Sequence, residues 1–306
     1  MKILTSPSSF GQVGNEPFEL LEQEGFEIIN NPYGRKLTED EVINLAADCI
    51  GIVAGVETLN ARVMDALPQL KVISRVGIGM DSVDLDYAKQ KGIIVLNTPD
   101  GPTRPVAELT LAMTLSLLRK IPQADAALKN KQWKKQTGNL LLGKVVGIVG
   151  LGRIGRLVAT FFRGLGNPVV GFDPYADATW AEGMGVKVLS FEEVLRTADI
   201  VTLHVPANAD KSAVIGEKEL NWMKNTALLI NASRGGVVDE EALYQALKHE
   251  KLRGAAVDVF TEEPYAGPLT ELENIVLTPH LGSYAEEGKL LMEIDAVKNL
   301  IAALVI

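Results

Sequence analysis

Residues 144–155, KVVGIVGLGRIG, constrain this chain more than any other stretch. Val145, Val146, Ile148 and Val149, with one glycine among them, read as a buried strand. Gly150, Gly152 and Gly155 follow at GxGxxG spacing, and Ile154, Leu157, Val158, Phe161 and Phe162 then recur as a helix face. The first glycine lets the chain turn tightly out of the strand. The second removes a side chain where a pyrophosphate would approach the backbone, and the third lets helix and strand pack closely. The helix N-terminus offers unpaired N–H groups to the phosphates. A glycine turn alone is weak evidence. Here the next apolar strand, Val169 to Phe172, ends on Asp173, 23 residues after Gly150. That is where an acid receives ribose hydroxyls. Strand, glycine turn, helix, strand and acid together predict a dinucleotide site.

The rest of the chain must house that unit. With 306 residues, 47% of them apolar, it has material for two ordinary domains. Thirty Lys and Arg against 39 Asp and Glu leave a formal charge of −9, which argues against non-specific nucleic-acid binding. The basic run KNKQWKK, residues 129–135, reads as a solvated helix end or loop. Cys49 is the only cysteine, so an intrachain disulfide and a cysteine metal cluster are excluded, and a reducing, cytoplasmic compartment fits. The N-terminal MKILTSPSSF has too short an apolar run for a signal peptide. The uncharged stretch Leu109 to Leu118 is too short to cross a bilayer and suits a buried helix. No HExxH or histidine cluster occurs, so no metal is expected.

Strands and helices alternate from the first residues. Strands are expected at Lys2–Thr5, Phe26–Ile29, Cys49–Ala54, Leu70–Ser74 and Ile93–Leu96. Between them, helices are expected at 17–25, 38–46, 60–67 and 84–90, the second opened by a Thr38 and Glu41 capping box. This is a complete open α/β unit with a mostly parallel sheet. Pro99, Gly101, Pro102 and Pro105 then mark a crossover between domains, and a long apolar helix runs to about Arg119. It is apolar nearly all round and wants protein on several sides, in another domain or another subunit. A polar stretch, Gln123 to Lys135, leads on to the nucleotide unit. After Asp173, strands are expected at 187–189, 200–203, 227–231, 254–259 and 275–278 and helices near 218–223 and 240–249. A second crossover at Pro279 precedes a last helix of about 286–303.

Open parallel sheets place their sites beyond the carboxyl ends of the strands. Unusual polar residues collect there. NASRGG, residues 231–236, follows an apolar strand, and Arg234 can hold a carboxylate through a two-pronged charged hydrogen bond, or be a solvated arginine in a glycine turn. Asp258 is placed inside the strand 255–260, with Glu263 and Pro264 shortly after. Of three histidines, His249 falls in a charged helix and reads as surface, His204 follows the strand 200–203 and lines the cofactor cleft through its backbone, and His280 sits at the second crossover. A carboxylate beside His280 would orient the imidazole and stabilise its protonated form, as a proton donor near neutral pH requires. Glu263, in a loop, is the better partner; Asp258 is nearer the core.

Six ordered signatures then carry a specific resemblance. They are VGIGMDSVD at 76–84, NTPDGPTRPVAEL at 97–109, GLGRIG at 150–155, NASRGGVVDEEAL at 231–243, AAVDVFTEEP at 255–264 and TPHLGS at 278–283. The chain resembles the D-isomer-specific 2-hydroxyacid dehydrogenases, most of all their phosphoglycerate dehydrogenase branch, over nearly its whole length. The resemblance implies two doubly wound parallel-sheet domains. One is a flavodoxin-like substrate domain, 1–97 plus 281–306; the other is a Rossmann nucleotide-binding domain, 98–280. It implies a homodimer built largely through the nucleotide domains. It also implies that Arg234, Glu263 and His280 are catalytic, with His280 exchanging the proton. Backbone N–H groups of Val76, Gly77, Ile78 and Gly79 would receive the substrate carboxylate. NAD would contact Gly150, Gly152, Arg153, Ile154, Gly155, Asp173, His204 and Ala232, with Asp258 on the nicotinamide carboxamide.

The chain departs from that branch in two places. Ala54, followed by Gly55, Val56 and Glu57, stands where a phosphate-binding arginine is common, although Arg75 matches another arginine of the branch. Pro102 stands where relatives often have asparagine. The sequence stops at Ile306, so the regulatory serine-binding domain of longer members is expected to be absent. The expected activity is NAD-dependent interconversion of a D-2-hydroxy acid and its 2-oxo acid, with 3-phosphoglycerate and 3-phosphohydroxypyruvate as the leading pair. Glyoxylate, hydroxypyruvate or another small 2-oxo acid is the alternative substrate. A non-catalytic NAD-binding regulator is the alternative class, against which the trio Arg234, Glu263 and His280 counts. Neither nucleic acid nor membrane is an expected partner.

Overall fold

Strands and helices alternate along most of the chain in a computed structural model that describes residues 1–304. Positions 305 and 306 of the expected segment 281–306 lie outside the described residues. The order begins β1 (Lys2–Thr5), α1 (Glu16–Gln23), β2 (Glu27–Asn30), α2 (Glu39–Leu45), β3 (Cys49–Ala54), α3 (Ala61–Ala66), β4 (Val72–Arg75), α4 (Leu85–Gln90), β5 (Ile94–Asn97) and α5 (Thr103–Arg119). It continues α6 (Ile121–Lys129), β6 (Val146–Val149), α7 (Arg153–Gly164), β7 (Val169–Phe172), α8 (Ala178–Met184), β8 (Val186–Val188), α9 (Phe191–Thr197) and β9 (Ile200–Leu203). Last come α10 (Glu217–Trp222), β10 (Leu228–Asn231), α11 (Glu240–Lys248), β11 (Gly254–Val257), β12 (Ile275–Leu277) and α12 (Glu286–Leu304). None of these helices is long and apolar enough to cross a membrane.

The chain divides into two units, one of Met1–Pro105 with the segment from Ser283 onward, the other of Val106–Gly282. Both divisions fall later in the chain than 97/98 and 280/281. Among the described residues the first unit holds a sheet of order β2-β1-β3-β4-β5 and the second one of order β12-β11-β10-β9-β6-β7-β8. Every strand pair in both is parallel. Parallel neighbours need crossover connections, which the helices supply while covering both faces of each sheet.

The inner strands show why their sequences are largely apolar. Side chains alternate between faces, so a strand covered on both sides needs apolar residues at every position. In the first unit Leu4, Ile52 and Ile73 enter one cluster with Val42, Val63 and Met64. Their neighbours Ile3, Val53 and Val72 enter the opposite cluster with Leu21, Val297 and Leu300. In the second unit Val149, Val201 and Leu229 pack on one face. Ile148, Ile200 and Ile230 pack on the other, against Val158 and Phe162.

Local signals hold where they are strong. Thr38 caps α2, accepting from the Glu41 N–H while the Glu41 side chain accepts from the Thr38 N–H. Three helices arise where no apolar periodicity marks them. Part of the polar stretch 123–135 forms α6, which buries none of its side chains. The helices α8 and α9 are seven residues each, too short to display a period, yet they start at capping Asp177 and at a Ser190 and Glu193 capping box. Asp258 also moves out of the strand: β11 stops at Val257, so this acid lies just beyond its carboxyl end.

Phe162, fully buried on α7, anchors one face of the larger sheet. Phe162→Ala should cost about 3–5 kcal/mol. Trp133, Trp180 and Trp222 all lie in the unit Val106–Gly282, so tryptophan fluorescence during urea unfolding reads that unit. A loss below about 1 kcal/mol would show that the site repacks.

Candidate active site

The larger sheet reverses its strand order between β6 and β9, the position at which open α/β sheets bind ligands. The glycines stand there for three separate reasons. Gly150 has φ +97°, and a Cβ on it would collide with the His204 carbonyl. A Cβ on Gly155 would collide with the Gly150 carbonyl, so this glycine sets how closely α7 approaches the turn. At Gly152, the residue capping α7, a Cβ would meet nothing within 4 Å. That open approach leads to the first turn of α7, which begins at Arg153 and Ile154. The cradle therefore fits a dinucleotide pyrophosphate. Asp173 follows β7, and its carboxylate accepts the Leu151 N–H and the Tyr175 N–H, both at 2.8 Å. A carboxylate has about four acceptor positions, so capacity for ribose hydroxyls remains.

His204 lies beside this turn, its N–H donating to the Val149 carbonyl at 2.8 Å. Its ring pairs with Thr202 Oγ1 at 3.0 Å, while Nδ1 is buried. Burial pushes the imidazole down to about 3, so it is neutral at ordinary pH. Its contribution to the nucleotide loop is its backbone, which carries the carbonyl that Gly150 approaches.

The loops after β10, β11 and β12 carry the remaining polar groups at the same sheet edge. Asn231 folds the first loop: its Oδ1 accepts the Ser233 N–H at 3.1 Å and hydroxyl at 2.7 Å, and its Nδ2 donates to the Arg234 carbonyl. Arg234 donates to the Ser233 carbonyl at 2.7 Å. Gly235 packs so closely on the Phe260 carbonyl that no Cβ fits, which joins this loop to the next. There the Phe260 N–H donates to Glu263 Oε1 at 3.0 Å, and the Thr261 N–H donates to Glu240 Oε1 at 2.7 Å. The other Glu263 oxygen lies 2.9 Å from His280 Nδ1, in the half-exposed pair favoured from the sequence. An ionised carboxylate only accepts, so Nδ1 carries the hydrogen and Nε2 is left to exchange a proton.

Asp258 is tied into the fold by its own contacts. It is fully buried; Oδ1 accepts the Thr278 hydroxyl at 2.5 Å and the Leu281 N–H at 2.7 Å, and Oδ2 accepts the Gly282 N–H at 2.8 Å. Its carbonyl accepts the His280 N–H at 2.8 Å, and His280 itself adopts φ +55°. Sequence reading missed Thr278 and Glu240 as parts of this arrangement. The only signals were a hydroxyl two positions before His280 and an acid at the start of α11.

In the first unit, the segment Val76–Gly79 offers fewer donors than expected. The Val76 N–H is held by the Ala54 carbonyl at 2.8 Å, and the Gly77 N–H by Thr98 Oγ1 at 2.7 Å. Asn97 Nδ2 fixes the loop by donating to the Ile78 carbonyl at 2.8 Å. That leaves the Ile78 and Gly79 N–H groups. Arg75 bends back to donate to the Val76 carbonyl.

Residues 111–282 match the family described as D-isomer specific 2-hydroxyacid dehydrogenase, NAD binding domain. D-3-phosphoglycerate dehydrogenase of Methanocaldococcus jannaschii is 42% identical over 258 residues, 83% of this chain and 49% of that protein. The chain spans about half the length of the curated relatives it matches. A crystal structure of a Thermus thermophilus protein superposes with TM-score 0.92 at 34% identity, covering 100% of this chain and 97% of the other. A glyoxylate reductase from Paecilomyes thermophila gives 0.87 at 26% identity, covering 99% and 95%. With a matched segment that takes in more than half of its residues, this chain belongs to the D-isomer-specific 2-hydroxyacid dehydrogenase family.

Proposed function

We propose that the chain is an NAD-dependent oxidoreductase that interconverts a D-2-hydroxy acid and its 2-oxo acid. The observation that carries this reading is the Glu263 and His280 pair at 2.9 Å, on the same sheet edge as the glycine cradle and the Arg234 loop. Bound NAD would supply or accept the hydride at nicotinamide C4. The chain's residues would do the rest. Arg234, always charged, anchors the carboxylate and polarises the carbonyl. His280 gives the developing alkoxide its proton from Nε2, and Glu263 holds the ring in the orientation this needs.

The printed name of the curated relatives favours 3-phosphohydroxypyruvate as the oxo acid. A second reading, a small unphosphorylated 2-oxo acid, is favoured by Ala54 at the end of β3, which has no charge to offer a phosphate. We also propose a homodimer in a reducing, cytoplasmic compartment. Ile121, Leu128, Trp133, Leu140 and Leu142 are exposed along 121–142, and a second copy of this chain is the partner proposed for them. Sedimentation at micromolar concentration should give twice the chain mass; a monomer would refute the dimer.

His280→Ala should lower turnover by about two to four powers of ten with NAD binding kept. The same residue gives the proton in reduction and takes it in oxidation, so both directions should be slowed. A folded His280→Ala protein that binds NAD and keeps most of its turnover in both directions would defeat the assignment.

Asp173 favours NADH over NADPH, because its charge repels a 2′-phosphate and no arginine follows it directly. Asp173→Ala should narrow the ratio of kcat/KM between the two cofactors. A wild-type protein more efficient with NADPH would sink this assignment.

A further inference from the structure

The glycine turn and the loop after β7 hold each other through a single residue. Leu151, between the first two glycines, gives its N–H to Asp173 Oδ2 at 2.8 Å, and its carbonyl accepts Arg156 Nε at 3.0 Å. An acid and a cation are thus fastened to the same residue of the turn. Dinucleotide sites of this kind that accept a 2′-phosphate use an arginine near the ribose acid. Arg156 holds that place although it lies on α7, ahead of Asp173 in the chain, where the residues next to Asp173 give no sign of it.

Its guanidinium is held elsewhere. Arg156 Nη1 lies 3.4 Å from Asp177 Oδ2, and the guanidinium carbon stands 4.8 Å from the centre of the Trp180 ring. Both partners belong to the segment that follows Asp173. The Ala176 N–H closes a turn on the Asp173 carbonyl at 3.2 Å, and Asp177 then caps α8, its Oδ1 accepting the Trp180 N–H at 3.1 Å. That N–H, and after it the charge of Arg156, hold the Asp177 carboxyl below its ordinary value, so it is ionised at neutral pH. The cap fixes the carboxylate, and the carboxylate and the indole fix the guanidinium. A pair of half-exposed charges adds little to stability. Its consequence is where the cation is kept.

We infer that Asp177 is a specificity-determining residue for the cofactor: by holding Arg156 it withholds a cation from a 2′-phosphate, and so adds to the preference for NAD over NADP. The inference rests on the reading of Asp173 as the ribose acid and names a second residue for the same selection. Asp173 repels the phosphate, and Asp177 denies it a partner.

The test measures Kd of the whole chain for NADH and for NADPH by calorimetry, which needs no substrate and no turnover. Asp177→Asn keeps an oxygen to cap α8 and removes the charge. It should tighten NADPH relative to NADH by roughly threefold to tenfold, as Arg156 becomes available to the phosphate. Made in Arg156→Ala, the same substitution should leave the ratio within about twofold, because the gain needs the guanidinium. An unchanged ratio in Asp177→Asn overturns the inference, whether both affinities stay as they were or both weaken by one factor, as loss of a mere cap would give. So does an equal gain with and without Arg156, which is what a general loss of negative charge produces. Should Asp177→Asn fail to fold, Asp177→Ser, which also caps a helix, takes its place in the same cycle. A wild type that binds NADPH more tightly than NADH defeats Asp173 as the ribose acid. The cycle still decides the role of Asp177, because it reads a change in the ratio and not the ratio itself.

Discussion

A fully buried carboxylate, Asp258, holds together the edge on which the proposed chemistry depends. Burial pushes its carboxyl up from the ordinary value, and the Thr278 hydroxyl with the Leu281 and Gly282 N–H groups pulls against that. Unpaired, a carboxylate in this position would be costly; with three donors it becomes the point to which the chain after β12 is tied. The backbone carbonyl of the same residue takes the His280 N–H. The histidine thus sits in a left-handed conformation, unusual for a residue with a side chain, because hydrogen bonds on both sides of it determine the path.

The neighbouring loops are joined to that anchor by backbone contacts as well as by the apolar packing of Phe260. Gly235 against the Phe260 carbonyl, the Phe260 N–H on Glu263 and the Thr261 N–H on Glu240 link the ends of β10 and β11 to the start of α11. His280 and Glu263, held by such contacts, are positioned more closely than either could be by its own loop. The regular strands beneath supply rigidity, since they are apolar on both faces and contribute to two cores at once.

The two sheet reversals are used differently. Beside β6 the edge is left open: Gly152 has space where its side chain would be, and the N-terminus of α7 faces that space. Beside β1 the corresponding donors are closed off by the chain's own Glu57. The same topological rule produces a cradle in one unit and a filled position in the other, and the difference lies in one short loop.

Some of this was legible residue by residue. Strand positions followed from unbroken apolar runs, the caps of α2 and α7 from Thr38 and from the glycine spacing, and both sheets' parallel character from the alternation of strands with helices. These are local properties, decided by backbone freedom and by which face of an element is apolar. The choice of Glu263 over Asp258 as the partner of His280 was not of that kind. Seventeen positions separate the pair, and only the packing of the β11 and β12 loops brings the two side chains to 2.9 Å. Nor could spacing show that the Val76 and Gly77 N–H groups are already bonded within the fold, or that Glu57 would turn inward onto Ser6. The sequence by itself determined the elements, their order and the candidate groups. Tertiary structure alone decided which donors and acceptors were spent on each other, because a buried polar group must find its partner wherever the fold places one.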